Sequence, residues 1–148
     1  MYKKILIATD GSEPSAKAVA HGVGLAKATG AAVAFVNVTE IWSALEVARA
    51  AESGISDPVE QYEKLADQAA EKTLAAAAKV AKDAGVTAET LHVRDQAAAE
   101  GIVAAAKDNK CDLIVTGTHG RRGINRMILG SQAIKVLHHS EIPVLVVR

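Results

Sequence analysis

Five short apolar runs, each followed or preceded by a stretch of helical character, restrict this chain more than any other feature. The runs are Lys4 to Thr9, Ala32 to Val38, Thr87 to Val93, Leu113 to Thr116 and Pro143 to Val147. Short apolar runs bounded by turn residues read as strands buried on both faces. The intervening stretches read as helices: about Ser15 to Ala28, Pro58 to Ala84, Ala97 to Asn109 and Ser131 to His139. Their ends carry suitable residues. Ser12 or Ser15 can cap the first helix, Pro14 suits its first turn and Gly30 its stop; Asp57 and Gly85 play the same parts for the second. Strands alternating with helices require right-handed crossovers and hence a parallel sheet with helices on both faces.

The 148 residues fit a single domain, 1–148, and neither an internal repeat nor a linker divides it. Alanine is abundant and aromatics make up only 3%, which suits close helix-on-sheet packing. Lys plus Arg and Asp plus Glu both number 17, so the formal net charge is zero. That balance argues against broad binding to nucleic acid or an anionic membrane. No apolar run approaches the roughly 20 residues of a membrane span, and the N-terminus enters a strand without a signal-peptide core. Cys111 is single, which rules out an internal disulfide. The expected compartment is the cytoplasm.

In parallel α/β sheets, ligands bind beyond the carboxyl ends of the strands, where the strand order reverses. Two strand-to-helix connections carry suitable residues: Thr9-Asp10-Gly11-Ser12 and the segment from Gly117 onward. If the first and fourth strands are neighbours, both meet at one crevice. The expected architecture is therefore a five-stranded parallel sheet of order 3-2-1-4-5, a Rossmann-like nucleotide-binding fold.

The second connection holds the strongest local signal. Gly117, Gly120 and Gly130 are separated by two and nine residues, and Ser131 follows at once. Glycine lets a backbone approach an anion closely. Free N–H groups at a helix start, with the helix dipole behind them, favour negative charge. The run is not a Walker A loop, because Gly-Lys-Ser/Thr is absent. Gly22-Val23-Gly24 is not a dinucleotide fingerprint either, since Lys27 stands at the third glycine position and the stretch lies within a helix. Asp10 can hold a ribose hydroxyl, or a Mg2+ or Mn2+ ion bridging to phosphates, or can cap its own turn. His119 and Arg121 can face phosphates, as can Arg122 or Arg126, or all can be loop residues in water. His138 and His139 are adjacent and point apart, which suits a helix C-terminus rather than a metal. Trp42 reads as an anchor for its segment or a platform for a base. Cys111 reads as a packed small residue. No general base stands beside a nucleophile in the sequence, so fast turnover is not expected.

Two further stretches bear on partners. Residues 39–57 form a long connection with helical spacing at Ile41, Leu45 and Ala48, suited to a surface excursion, a lid or an oligomer contact. The last strand, Val144 to Val147, is apolar and no helix follows it. At a sheet edge it would expose unpaired backbone, which pairing with a second copy would cover. A homodimer is expected.

These residues together resemble the universal stress protein family. The Gly-x2-Gly-x9-Gly-Ser run is similar to the signature of its ATP-binding branch. The opening Ile5-Leu6-Ile7-Ala8-Thr9-Asp10-Gly11-Ser12 and the ending Ile142-Pro143-Val144-Leu145-Val146-Val147 resemble the two ends of the family. The resemblance spans the chain apart from 39–57. It implies the sheet order 3-2-1-4-5, dimerisation through the last strand, and ATP or a related adenine nucleotide in the crevice, with a role in stress survival or signalling. Carried over by position, Ala8, Thr9 and Asp10 line the ribose and phosphate side, and Val38 meets adenine through its backbone. Thr116 and Gly117 lie under ribose and adenine, while Gly120, Gly130 and Ser131 hold the phosphates. The chain departs from the pattern at Gln132 and Ala133, where the family often has Val and then a hydroxyl residue. That replacement points toward fewer phosphates. It departs again at Val93-Arg94-Asp95, where a glycine is common. Three classes of function follow: an adenine-nucleotide-binding regulator, a slow ATPase or phosphotransferase on the same site, and a dimeric interaction module without nucleotide.

Overall fold

The computed structural model describes residues 1–119 and 129–148. Its elements in chain order are β1 (Lys4–Ala8), α1 (Glu13–Thr29), β2 (Ala32–Thr39), α2 (Ala44–Glu52), α3 (Pro58–Ala84), β3 (Ala88–Arg94), α4 (Ala98–Asp108), β4 (Leu113–Gly117), α5 (Ser131–His139) and β5 (Val144–Val147). The strands form one sheet of order β3-β2-β1-β4-β5. Every pairing is parallel, with Ile5 opposite Val33 on one side and Leu113 on the other.

Strand side chains alternate between faces, and the core divides accordingly. Ile5, Ile7, Val33 and Phe35 pack with Val19 and Val23 of α1 and Leu74 and Ala77 of α3. Leu6, Ala34, Val36 and Ile114 pack on the other face with Ala99 and Ile102 of α4 and Val136 of α5. Each fully buried aliphatic side chain contributes roughly 1.5–3 kcal/mol. Small residues set the spacing of the layers. A methyl group at Gly22 would strike Ile7, and one at Gly101 would lie 2.8 Å from Val38 Cγ1.

The helix ends largely follow the sequence signals. Ser12, not Ser15, caps α1, accepting from Ser15 N, and Gly30 closes the helix at φ 72. Asp57 departs from its expected role: it precedes α3 at φ 52 and its side chain makes no cap hydrogen bond. The left-handed backbone there turns the chain into a helix begun by Pro58, whose ring fixes the first turn. Strand limits shift by a residue or so, since β1 stops at Ala8 and β3 begins at Ala88. Asp95, which closes the Val93-Arg94-Asp95 stretch, takes φ 58; Asp tolerates that region better than most side chains.

Residues 39–57 contain a helix of their own. α2 starts with a capping box in which Ser43 and Glu46 satisfy each other's backbone N–H groups. None of its residues is buried, and Ile41 and Leu45 stand exposed. It lies outside the sheet sandwich as a surface excursion. No helix among the described residues is long and apolar enough to cross a membrane.

Candidate functional site

Because β1 pairs with β4 while β2 lies on its other side, the order of strands reverses between β1 and β4. The connections leaving these two strands therefore open into one crevice at the carboxyl edge of the sheet.

The β1 side is held by a set of hydrogen bonds. Thr9 is buried; its N–H donates to Val36 O at 2.9 Å. Its carbonyl accepts from Asn37 Nδ2 at 2.9 Å, and its hydroxyl lies 3.3 Å from Ser15 Oγ. Asp10 follows, accepting from Ser12 N–H at 2.9 Å through Oδ1. This is the turn-capping role open to it from the sequence, made possible by Gly11 at φ 81. Among the described residues no group of three or more His, Cys, Asp or Glu side chains could hold a metal ion. A cation at Asp10 would thus depend on phosphate oxygens for most of its ligands.

The β4 side is set by close backbone approach. Thr116 and Gly117 end the strand, just beyond the pairing of Val115 with Ile7 of β1. A Cβ on Gly117 would lie 2.8 Å from the carbonyl of Pro14, so this glycine lets the first turn of α1 sit against the end of β4. Thr118 N–H donates to Val147 O at 3.0 Å, and His119 Nδ1 lies 3.1 Å from Thr118 Oγ1. Gly130 N–H then donates to Thr118 O at 2.7 Å, tying the two ends of the glycine-rich segment together. A Cβ on Gly130 would stand 2.6 Å from that same oxygen. Gly130 is thus needed for the closure itself. Any side chain there disturbs the segment as well as a ligand, so Gly130→Val does not isolate binding. Gly120, Arg121, Arg122 and Arg126 lie outside the described residues.

Gly130 is also the N-cap of α5 and, lacking a side chain, provides no cap hydrogen bond. Ser131 is exposed at the first helical position. Gln132 follows, and its Oε1 is buried without a hydrogen-bond partner. Buried polar atoms are rarely left so. Rotating the amide half a turn would present Nε2–H donors at that point instead. An uncapped helix start beside an unsatisfied amide fits an anionic, hydrogen-bonding ligand. Val38, at the end of β2, turns its side chain to Gly101 of α4, which leaves its backbone at the carboxyl edge of the sheet.

Some residues of consequence are not apparent from the sequence. Asn37 secures the carbonyl of Thr9; its one signal is a polar side chain at a strand position that the alternation marks as buried. Gly101 admits Val38. His92 stands with Nε2 2.7 Å from Thr39 Oγ1, so a base does lie beside a hydroxyl in this fold, at a sequence separation of 53. A groove of ≈ 310 Å³ between β3 and α4, lined by Leu91, Val93 and Ala105 among others, includes none of the crevice residues. Cys111 is buried, and burial pushes its thiol up to about 11. It is a packed structural residue, as expected. His138 and His139 occupy the last turn of α5.

Comparison with known proteins agrees with this architecture. The family model described as universal stress protein family matches residues 1–148. Universal stress protein MJ0531 of Methanocaldococcus jannaschii is 35% identical across 100% of this chain and 83% of its own length. Universal stress protein YxiE of Bacillus subtilis is 34% identical over 100% of both. Among solved structures, hypothetical protein MJ0577 superposes with a TM-score of 0.79 at 31% identity, covering 99% of this chain and 96% of its own. A universal stress protein in complex with cAMP gives 0.67 at 26% identity, covering 99% and 97%. The chain described here belongs to the universal stress protein family.

Proposed function

We propose that this protein binds an adenine nucleotide in the β1–β4 crevice and serves as a nucleotide-responsive regulator in stress survival, acting in the cytoplasm. The observation that supports this reading is the joining of Gly130 to Thr118 at the reversal of strand order, where an uncapped helix start adjoins the end of β4, the strand next to β1. The cAMP complex of a family member supports the choice of adenine. The ribose lies toward Ala8, Thr9 and Asp10, and the base toward the backbone of Val38. Ser131 reaches phosphate through hydroxyl and N–H, with Gly120, His119, Arg121 and Gln132 as further contacts. Any Mg2+ or Mn2+ enters with the phosphates and meets Asp10. Each N–H bond to a charged phosphate oxygen contributes roughly 1.5–3 kcal/mol, so a few of them suffice for micromolar affinity.

Calorimetric titration with ATP, AMP and cAMP tests the reading. We expect at least one of them to bind in the micromolar range, with Ser131→Ala weakening it by about tenfold, as fits the loss of one charge-assisted bond. Absence of binding by all three would overturn it.

A further inference from the structure

Next to the β2 side of the crevice, the carboxyl ends of β2 and β3 meet α3 around four polar side chains. Thr39 Oγ1 and His92 Nε2 are 2.7 Å apart. His92 Nδ1 lies 3.6 Å from Asp67 Oδ1, an electrostatic contact longer than a hydrogen bond. Arg94 Nε donates to that same Asp67 oxygen at 2.8 Å. Arg94 is also the partner of Thr39 in the β2–β3 register.

The electrostatics suit a base. The Arg94 hydrogen bond holds the Asp67 carboxyl below its ordinary range, so the acid stays ionised. Burial holds His92 below its usual 6.5; Arg94 adds to this and Asp67 opposes it. From β2 the ring meets Thr39, and the register partner of His92 is Asn37; neither is charged. At neutral pH the imidazole is therefore neutral. With its proton on Nδ1, toward Asp67, Nε2 keeps a lone pair for the Thr39 hydroxyl. A hydroxyl, a base within hydrogen-bond reach and a third group beside the base form the arrangement that activates nucleophiles.

We propose that Thr39 is an acyl acceptor, taking the acyl group of an activated ester or thioester with His92 as general base. His92 Nε2 removes the hydroxyl proton as Thr39 Oγ1 bonds to the carbonyl carbon. The carbonyl oxygen takes up the electron pair beside the Arg94 guanidinium. Collapse of this intermediate breaks the bond to the leaving thiolate or phenolate, which regains the proton from His92. Water then attacks the acyl-threonine by the same route, releasing the acid and the free hydroxyl. Asp67 acts as a positioning residue for the imidazole. An acyl donor fits better than a phosphoryl donor because the single guanidinium here is surrounded by the negative charges of Asp67, Asp95 and Glu63. These would repel a phosphate.

The test is incubation of the intact protein with 4-nitrophenyl acetate, following nitrophenolate release and mapping acetylated peptides by mass spectrometry. We expect acetyl on the peptide containing Thr39, and a rate that rises through one ionisation below pH 6.5, the usual value for histidine. Thr39→Val should abolish the adduct, Thr39→Ser keep it, and His92→Gln slow it by ~10²-fold. Acetyl found only on lysines of the unaltered protein would overturn the proposal, as would equal release rates in Thr39→Val and the parent. The mapping needs no variant, so a folding defect in either substitution leaves the test decisive.

Discussion

Asn37 supports the crevice through one amide. It is 8% exposed, sits in a strand otherwise lined with valine and alanine, and donates to the Thr9 carbonyl at the point where the chain leaves β1. Removing the amide leaves a buried carbonyl unpaired at a cost of about 1–3 kcal/mol. The released carbonyl also loosens the Asp10 turn, which depends on the position of Thr9. Asn37→Ala should lower the unfolding free energy by that amount and weaken nucleotide binding together with it. Denaturant unfolding and calorimetry on the same preparation check both; a variant of full stability and unchanged affinity would show that the amide is not needed there. Gly117 and Gly130 make a related point. The sequence spacing singled them out for close approach of the backbone to an anion. Their nearest neighbours, however, are the backbone of Pro14 and the oxygen of Thr118. Part of the glycine signature is therefore explained by chain closure, before any ligand is considered.

Among the elements, α3 is tied to β3 by polar contacts as well as by packing. Arg94 and His92 of β3 both meet Asp67 of α3, and His92 also meets Thr39 of β2. Because His92 titrates lower in the folded protein than in the unfolded chain, the unfolded state binds more protons over that interval. Stability then rises with pH and is lost as pH falls from 6.5 through the folded value of His92. His92→Gln should flatten the dependence of Tm on pH in that window. Thermal melts of parent and variant with identical slopes there would contradict the link. Elements with strong periodicity were legible in advance. The five apolar runs marked the strands, and the residue types of the connections after the first and fourth pointed to β1 beside β4. Three features escaped because they depend on tertiary proximity or backbone geometry: the Thr39–His92 pair, the packing of Gly101 on Val38, and the left-handed Asp57 that no side-chain hydrogen bond supports. Residues 39–57 were recognisable as an excursion. The capping box at Ser43 and Glu46 shows why part of that excursion is helical even though none of it is buried.

For the whole molecule, the sheet has two free edges, β3 and β5. β3 exposes Glu89, Thr90 and Arg94, polar side chains that discourage edge pairing. β5 is Val144-Leu145-Val146-Val147, with Leu145 38% exposed, and Ile134 and Leu137 of the adjoining α5 are exposed as well. We expect β5 to pair with β5 of a second copy, covering these residues in a homodimer. Leu145→Lys should then give a monomer by light scattering at concentrations where the parent is dimeric; a parent that is itself monomeric at high concentration would contradict this. The central claim concerns the crevice, and it is tested most directly by purifying the protein without added nucleotide, denaturing it and identifying by mass spectrometry what it releases. The account predicts an adenine nucleotide, or micromolar rebinding of one by the emptied protein. Release of nothing, together with no rebinding, would contradict it and leave the glycine-rich segment as a structural closure.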